Sequence, residues 1–122
     1  MPTLYSIAIL LASMAGSAFP SLTIQAVPPV TVISVGQNQA SVSIRVTVPR
    51  DARNRVVCVA VEGPIVRSSC WEHDATGPYR TEFRYPGLAV GMYEVVGEVQ
   101  WVDEANGKRK VTIARTAFEI RE

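Results

Sequence analysis

The chain has 122 residues and a net charge of +1, enough for one domain with a real core. So even a charge excludes the strong basic excess on which nucleic-acid binding depends. Hydrophobic residues make up 48% of the chain, which excludes general disorder, and short valine-rich runs punctuated by Pro and Gly point to an all-β chain.

Residues 3–19 carry no charge, and Arg45 is the first charged residue. Leu4 to Ala12 has the length of a signal-peptide apolar region. Ser13-Met14-Ala15 and Gly16-Ser17-Ala18 both satisfy a small-x-small cleavage rule, and Pro20 would stop a helix. No Lys or Arg precedes the run, so the alternative of a retained apolar arm, packed in an assembly or anchored in a membrane, stays open. Residues 1–20 are therefore read as an export signal or retained arm, 21–29 as a Pro-containing linker or first short strand, and 30–122 as the β domain.

Leu22, Ile24 and Ala26 alternate with polar residues before Pro28-Pro29 breaks the ladder. Val30 to Val35 is the next strand candidate. Ala40 to Val48 alternates without a fault: Ala40, Val42, Ile44, Val46 and Val48 face inward, and Ser41, Ser43, Arg45 and Thr47 outward. Arg50, Arg53 and Arg55 follow in a polar loop with Asp51. Three arginines can grip a phosphate or carboxylate, or form a solvated loop with local charge balance.

Val56 to Glu62 is a continuous apolar run, the pattern of a strand covered on both faces. Gly63-Pro64 turns the chain and Ile65 to Cys70 returns. Cys58 and Cys70 are equidistant from Pro64, so a hairpin folded there sets them opposite each other, within disulfide reach; two separate buried thiols are the competing reading. Trp71 to Pro78 holds the only His, His73, with Glu72 and Asp74 beside it. A metal site needs three or four converging ligands, and neighbours in an extended chain point apart. The segment thus reads as an exposed loop, with Trp71 either packed over the disulfide or presented for recognition.

Tyr79 to Tyr85 alternates aromatic and Thr residues against Arg80, Glu82 and Arg84, and Pro86-Gly87 closes the strand. From Gly87 a turn leads into the clearest strand of the chain. Tyr93, Val95, Gly97, Val99 and Trp101 lie on one face, and Glu94, Val96, Glu98 and Gln100 on the other. Asn106-Gly107 marks a hairpin loop. In Val111 to Ile120 the inward set changes from Val111 and Ile113 to Phe118 and Ile120, which predicts a bulge near Ala114 to Ala117.

Leu88-Ala89-Val90-Gly91-Met92-Tyr93 resembles the tyrosine corner of immunoglobulin-like and fibronectin type III-like domains. The resemblance implies an antiparallel β-sandwich of about seven strands, with Leu88 as an apolar plug, Gly91 in the tight turn, and the Tyr93 hydroxyl bonded to backbone a few residues upstream. Two departures stand out. The penultimate strand has no Cys, and the Leu88 to Tyr93 spacing is one residue shorter than the usual type III pattern.

No nucleophile–base pattern is present beyond Ser68-Ser69 near His73, and no metal, cofactor or nucleic-acid motif. The reading is a non-enzymatic, extracytoplasmic structural or interaction module: secreted, periplasmic or at the cell surface, and a subunit of a surface or filament-like assembly. Its partners are proteins, copies of itself included, and it meets membrane only through a retained N-terminus. The alternative is a carbohydrate-binding module that uses Trp71, Tyr79 and Trp101 as aromatic platforms.

Overall fold

Alternating burial runs through nearly every strand of the computed structural model, which describes residues 19–122. The readings of an export signal, cleavage site or apolar arm fall on residues 1–18, outside the described residues. Eight strands form: β1 (Thr23–Val27), β2 (Val30–Val32), β3 (Gln39–Thr47), β4 (Asn54–Glu62), β5 (Arg67–Glu72), β6 (Arg80–Ala89), β7 (Gly91–Val102) and β8 (Arg109–Arg121). No helix occurs among the described residues. The expected count of about seven is thus corrected to eight, because the chain breaks at Pro28-Pro29 into two separately paired strands.

The strands build two sheets, in the orders β1-β3-β6 and β2-β8-β7-β4-β5. Every pairing is antiparallel except β2 with β8, which is parallel. Past Pro28-Pro29 the chain leaves the first sheet and joins the second, where the amide of Glu119 donates to the carbonyl of Pro29 at 3.0 Å. One core fills the space between the inner faces. Val42, Ile44 and Val46 of β3 meet Val57, Val59 and Val61 of β4 and Tyr93, Val95 and Val99 of β7, all essentially inaccessible to water. β4 is therefore not covered on both faces, as its continuous apolar run implied. Val57, Val59 and Val61 are buried, whereas Val56, Cys58 and Ala60 are only half-buried on the far side.

Two expectations about irregularities are corrected. β7 and β8 pair without interruption from Gly91↔Ile120 to Val102↔Arg109, so no bulge interrupts β8 and its faces never switch. Thr112, Ala114, Thr116, Phe118 and Ile120 form one inward row, and Val111 and Ile113 point out. Irregularities lie instead at Arg55 of β4, where the pairing with β7 shifts, and in β6, which Pro86-Gly87 does not close. Ala40 pairs with Leu88 and Val42 with Tyr85, so Pro86 and Gly87 together oppose Ser41. Gly87 supplies the left-handed φ of +69° that this bulge uses. Pro86 has no amide to give, but β6 is an edge strand and forfeits no ladder bond there.

Gly97 explains how β1 reaches the core. A Cβ placed there would stand 2.9 Å from Cγ2 of Ile24 and 3.2 Å from Cδ1 of Leu22. The missing side chain in the inward row of β7 is thus the seat of β1. Gly97→Val is expected to lower stability by about 1–3 kcal/mol, the usual cost of overpacking, read as a fall in the urea midpoint at unchanged slope.

Candidate interaction surface

The faces of β7 and β8 are set by the loop that joins them. Its turn is held by Asp103, whose carboxylate accepts from the Ala105 amide at 2.9 Å and pairs with Lys110 Nζ at 3.2 Å, while its carbonyl accepts from the Gly107 amide. The Ala105 amide, then Lys110, hold the Asp103 carboxyl below its ordinary range. Gly107, at φ +69°, completes the turn. The register this loop imposes turns Val111, Ile113 and Arg115 to the same side as Gln100, Glu98 and Val96. That side is the outer face of the five-stranded sheet, away from the core.

Large apolar side chains collect there. Val32 is 67% exposed, Met92 63%, Ile113 51%, Val111 48% and Val30 41%. Between and beside them lie half-buried Val56, Ala60 and Val96. The Cys58–Cys70 disulfide is present, and it lies on this face because Cys58 pairs directly with Cys70 on one side and with Glu98 on the other. They form two groups toward opposite ends of β8, Val111 and Ile113 beside Gln100 and Glu98, and Met92, Val30 and Val32 beside Glu119 and Arg121, with the Arg115–Glu94 ion pair between them. Apolar groups gathered on one face, unlike singly scattered ones, point to a contact surface. Side-chain bonds tie down the polar groups among them: Arg115 to Glu94 at 3.1 Å, Gln100 to Glu98 at 2.9 Å and Arg121 to Glu119 at 2.7 Å.

The residues singled out in the sequence fall elsewhere. Trp101 is buried, its indole N–H donating to Thr112 Oγ1 at 3.0 Å and its ring lying 5.3 Å below the Arg53 guanidinium. Trp71 does not lie over the disulfide. Its neighbour Cys70 points out, so Trp71 points in and meets Phe83 of the other sheet, ring centres 4.8 Å apart. Tyr79 alone of the three presents an exposed ring. They do not form one platform.

Nor do the arginines converge. Arg53 binds the Asp51 carboxylate in a fork, at 3.0 and 2.8 Å, and holds that carboxyl below its ordinary value. The stabilisation from this pair is therefore complete above the unfolded carboxyl's pKa and fades as pH falls below it. Arg55 folds back onto the carbonyls of Ala52 and Asn54, and Arg50 onto that of Gly77. Arg50 and Arg55 thus brace loop backbone, and Arg53 the neighbouring carboxylate.

His73 is the least legible residue of the set. Expected in an exposed loop, it is buried at 3% exposure. Nε2 donates to the Pro78 carbonyl at 2.9 Å, since a carbonyl only accepts. Gly77 lies flat on the ring, where a Cβ would come within 2.9 Å. The ring thus serves as the packed centre of its loop, with no serine hydroxyl of the described residues bonded to it. Ser68 and Ser69 face opposite sides of β5, and Ser69 Oγ accepts from Tyr85 at 3.4 Å. Beside His73 opens a polar cleft of about 570 Å³, bordered by Asn54, Glu72, Asp74 and Arg109. Among the described residues no three His, Cys, Asp or Glu side chains converge as metal ligands.

At the corner, the Tyr93 hydroxyl donates to the Ala89 carbonyl at 2.8 Å, and burial raises its pKa. Leu88 is fully buried. Gly91, at φ +151°, leaves room for Pro64, whose Cγ would lie 2.6 Å from a Cβ there. Comparison of the chain with protein-family models and with curated proteins finds no match.

Proposed function

We propose that this chain is an extracytoplasmic, non-enzymatic interaction module of the immunoglobulin-like or fibronectin type III-like sandwich type, a subunit of a surface or filament-like assembly. The observation that carries the reading is the set of exposed apolar side chains on the outer face of the five-stranded sheet, Val111 and Ile113 toward one end of β8 and Met92, Val30 and Val32 toward the other. The strand orders of the two sheets and the Tyr93 bond to Ala89 support the fold assignment. A disulfide supports an oxidising compartment, and among the described residues no helix is long and apolar enough to cross a membrane. Cleavage after Ala18 would leave Phe19 as the first residue, its ring 5.8 Å from that of Trp101.

A photo-crosslinking residue at position 113, in protein made by its natural source, tests the reading. Expected is an adduct to a second polypeptide that does not form when the probe stands at exposed Tyr79. No adduct from position 113 would overturn it. Intact mass of the same material checks export: the chain should lack residues 1–15 or 1–18, and a chain that retains them would contradict the export reading.

A further inference from the structure

We propose that the open edge of β8 pairs with the same edge of a second copy, antiparallel about a two-fold axis, so that the two five-stranded sheets join. The inference rests on the reading of the chain as an interaction module and names its partner. The observation is an unfinished ladder. β8 pairs with β7 over residues 109–121 but with β2 only at Glu119, Ile120 and Arg121. No other described strand is bonded to that side of β8. Two bonds give the direction of the free groups: the Glu119 amide donates to the Pro29 carbonyl at 3.0 Å, and the Ile33 amide donates to the Arg121 carbonyl at 2.8 Å. Odd-numbered residues thus aim N–H and C=O away from β7, and the uninterrupted ladder carries that alternation down the strand. Arg109, Val111, Ile113, Arg115 and Ala117 therefore present both groups to the open side, with no backbone partner there among the described residues. The inward row records the same gap. Phe118 and Ile120, where β2 arrives, are buried, whereas Thr112, Ala114 and Thr116 are half-buried.

The other edges are blunted. β1 and β2 have five and three residues, with Pro28-Pro29 between them. β6 carries Pro86 in its bulge, and β5 has six residues with charges at both ends, Arg67 and Glu72. Short strands, prolines, bulges and charges are the devices that keep edges from pairing. Residues 111–117 have no Pro, no bulge and one charge, Arg115. Backbone donors and acceptors at strand spacing match another strand, and across a two-fold axis an identical edge supplies one.

The open stretch sets the register. Exchange of bonds needs odd residues opposite odd residues. Full overlap of residues 109–117 then centres on Ile113, which meets Ile113 of the second copy. Val111 meets Arg115, Thr112 meets Ala114, and Arg109 meets Ala117, so no two like charges stand opposite each other. A shift of two residues one way sets Arg109 on Arg115. The other way brings Arg109 to Glu119, where β2 already sits. A contact one strand wide falls at the low end of interface sizes, which places Kd between about 10 μM and about 1 mM.

Sedimentation equilibrium from about 20 μM to about 1 mM is expected to show a reversible monomer–dimer equilibrium. Amide exchange followed by NMR over the same range reads the edge itself. The amides of Val111, Ile113 and Arg115 should exchange at least about twofold more slowly at the higher concentration, while those of Thr112, Ala114 and Thr116, bonded to β7, stay protected throughout. Ile113→Glu should weaken the dimer at least about tenfold, since the two carboxylates would stand opposite each other. Arg115→Pro should do the same yet keep the fold, because the amide it removes faces the open edge. Unchanged thermal midpoints check that both variants fold. A strict monomer at about 1 mM, or a dimer whose odd-numbered amides gain no protection, overturns the proposal. A monomer whose position-113 probe captures a different protein overturns the second copy but leaves the interaction module standing. A monomer with no adduct removes both.

Discussion

Replacing Cys58 and Cys70 together by Ala is expected to lower stability by about 3 kcal/mol. The two are 12 residues apart, and closing a loop of that size removes about this much chain entropy from the unfolded state. The figure is a sizeable share of the roughly 5–15 kcal/mol that holds a domain together. β5 gives the bond a specific task. It is an edge strand, bonded to β4 alone, and carries the Trp71 ring to its contact with Phe83. Untied, β5 loosens first, and the bridge between the two sheets at that end goes with it. Urea unfolding with and without dithiothreitol checks this. The parent should lose about 3 kcal/mol on reduction and the double variant nothing. A loss below about 1 kcal/mol in the parent would mean that the Gly63-Pro64 turn and the β4–β5 ladder already restrict the unfolded chain.

Tyr93 separates two contributions at one position. Tyr93→Phe removes only the hydroxyl, which donates to the Ala89 carbonyl at 2.8 Å, and should cost about 0.5–1.5 kcal/mol. Tyr93→Ala should cost about 3–5 kcal/mol, the range for emptying a buried aromatic site. The larger loss follows from what surrounds the ring. Phe118 stacks on it at 4.8 Å between centroids and 7° between planes. The Gly63 backbone approaches so closely that a Cβ would sit 2.7 Å from Tyr93 Cδ2. With Pro64 seated against Gly91, the β4–β5 turn, β7 and β8 all converge on this ring. Thermal or urea unfolding of both variants measures the difference, and equal losses for Phe and Ala would show that the hydroxyl carries the corner.

Legibility followed the physics of each element. β3 and β7 are long and face water on one side, so their period of two was open to reading. The disulfide was legible because a hairpin about Pro64 has one symmetric pairing, and the ladder adopts it. β8 was misread because its outward row begins with two large apolar residues. Counting back from Phe118 and Ile120 in steps of two reaches Ala114 and Thr112, and that parity alone places Val111 and Ile113 outside. Trp71 carried the same signal: with Cys70 paired across the outer face, its neighbour had to point in. His73 and the Pro86-Gly87 bulge had no local signal. One is buried by the fold of its own loop, and the other depends on which strand is an edge, a fact of topology.

The measurement that tests most directly whether the outer face is where this module makes contact is photo-crosslinking in the natural source, with the probe placed in turn at positions 92, 111 and 113 of that face and at exposed Tyr79 away from it. Adducts to a second polypeptide are expected from the outer-face positions and none from position 79. No adduct from any outer-face position, or adducts from position 79 alone, would contradict the account.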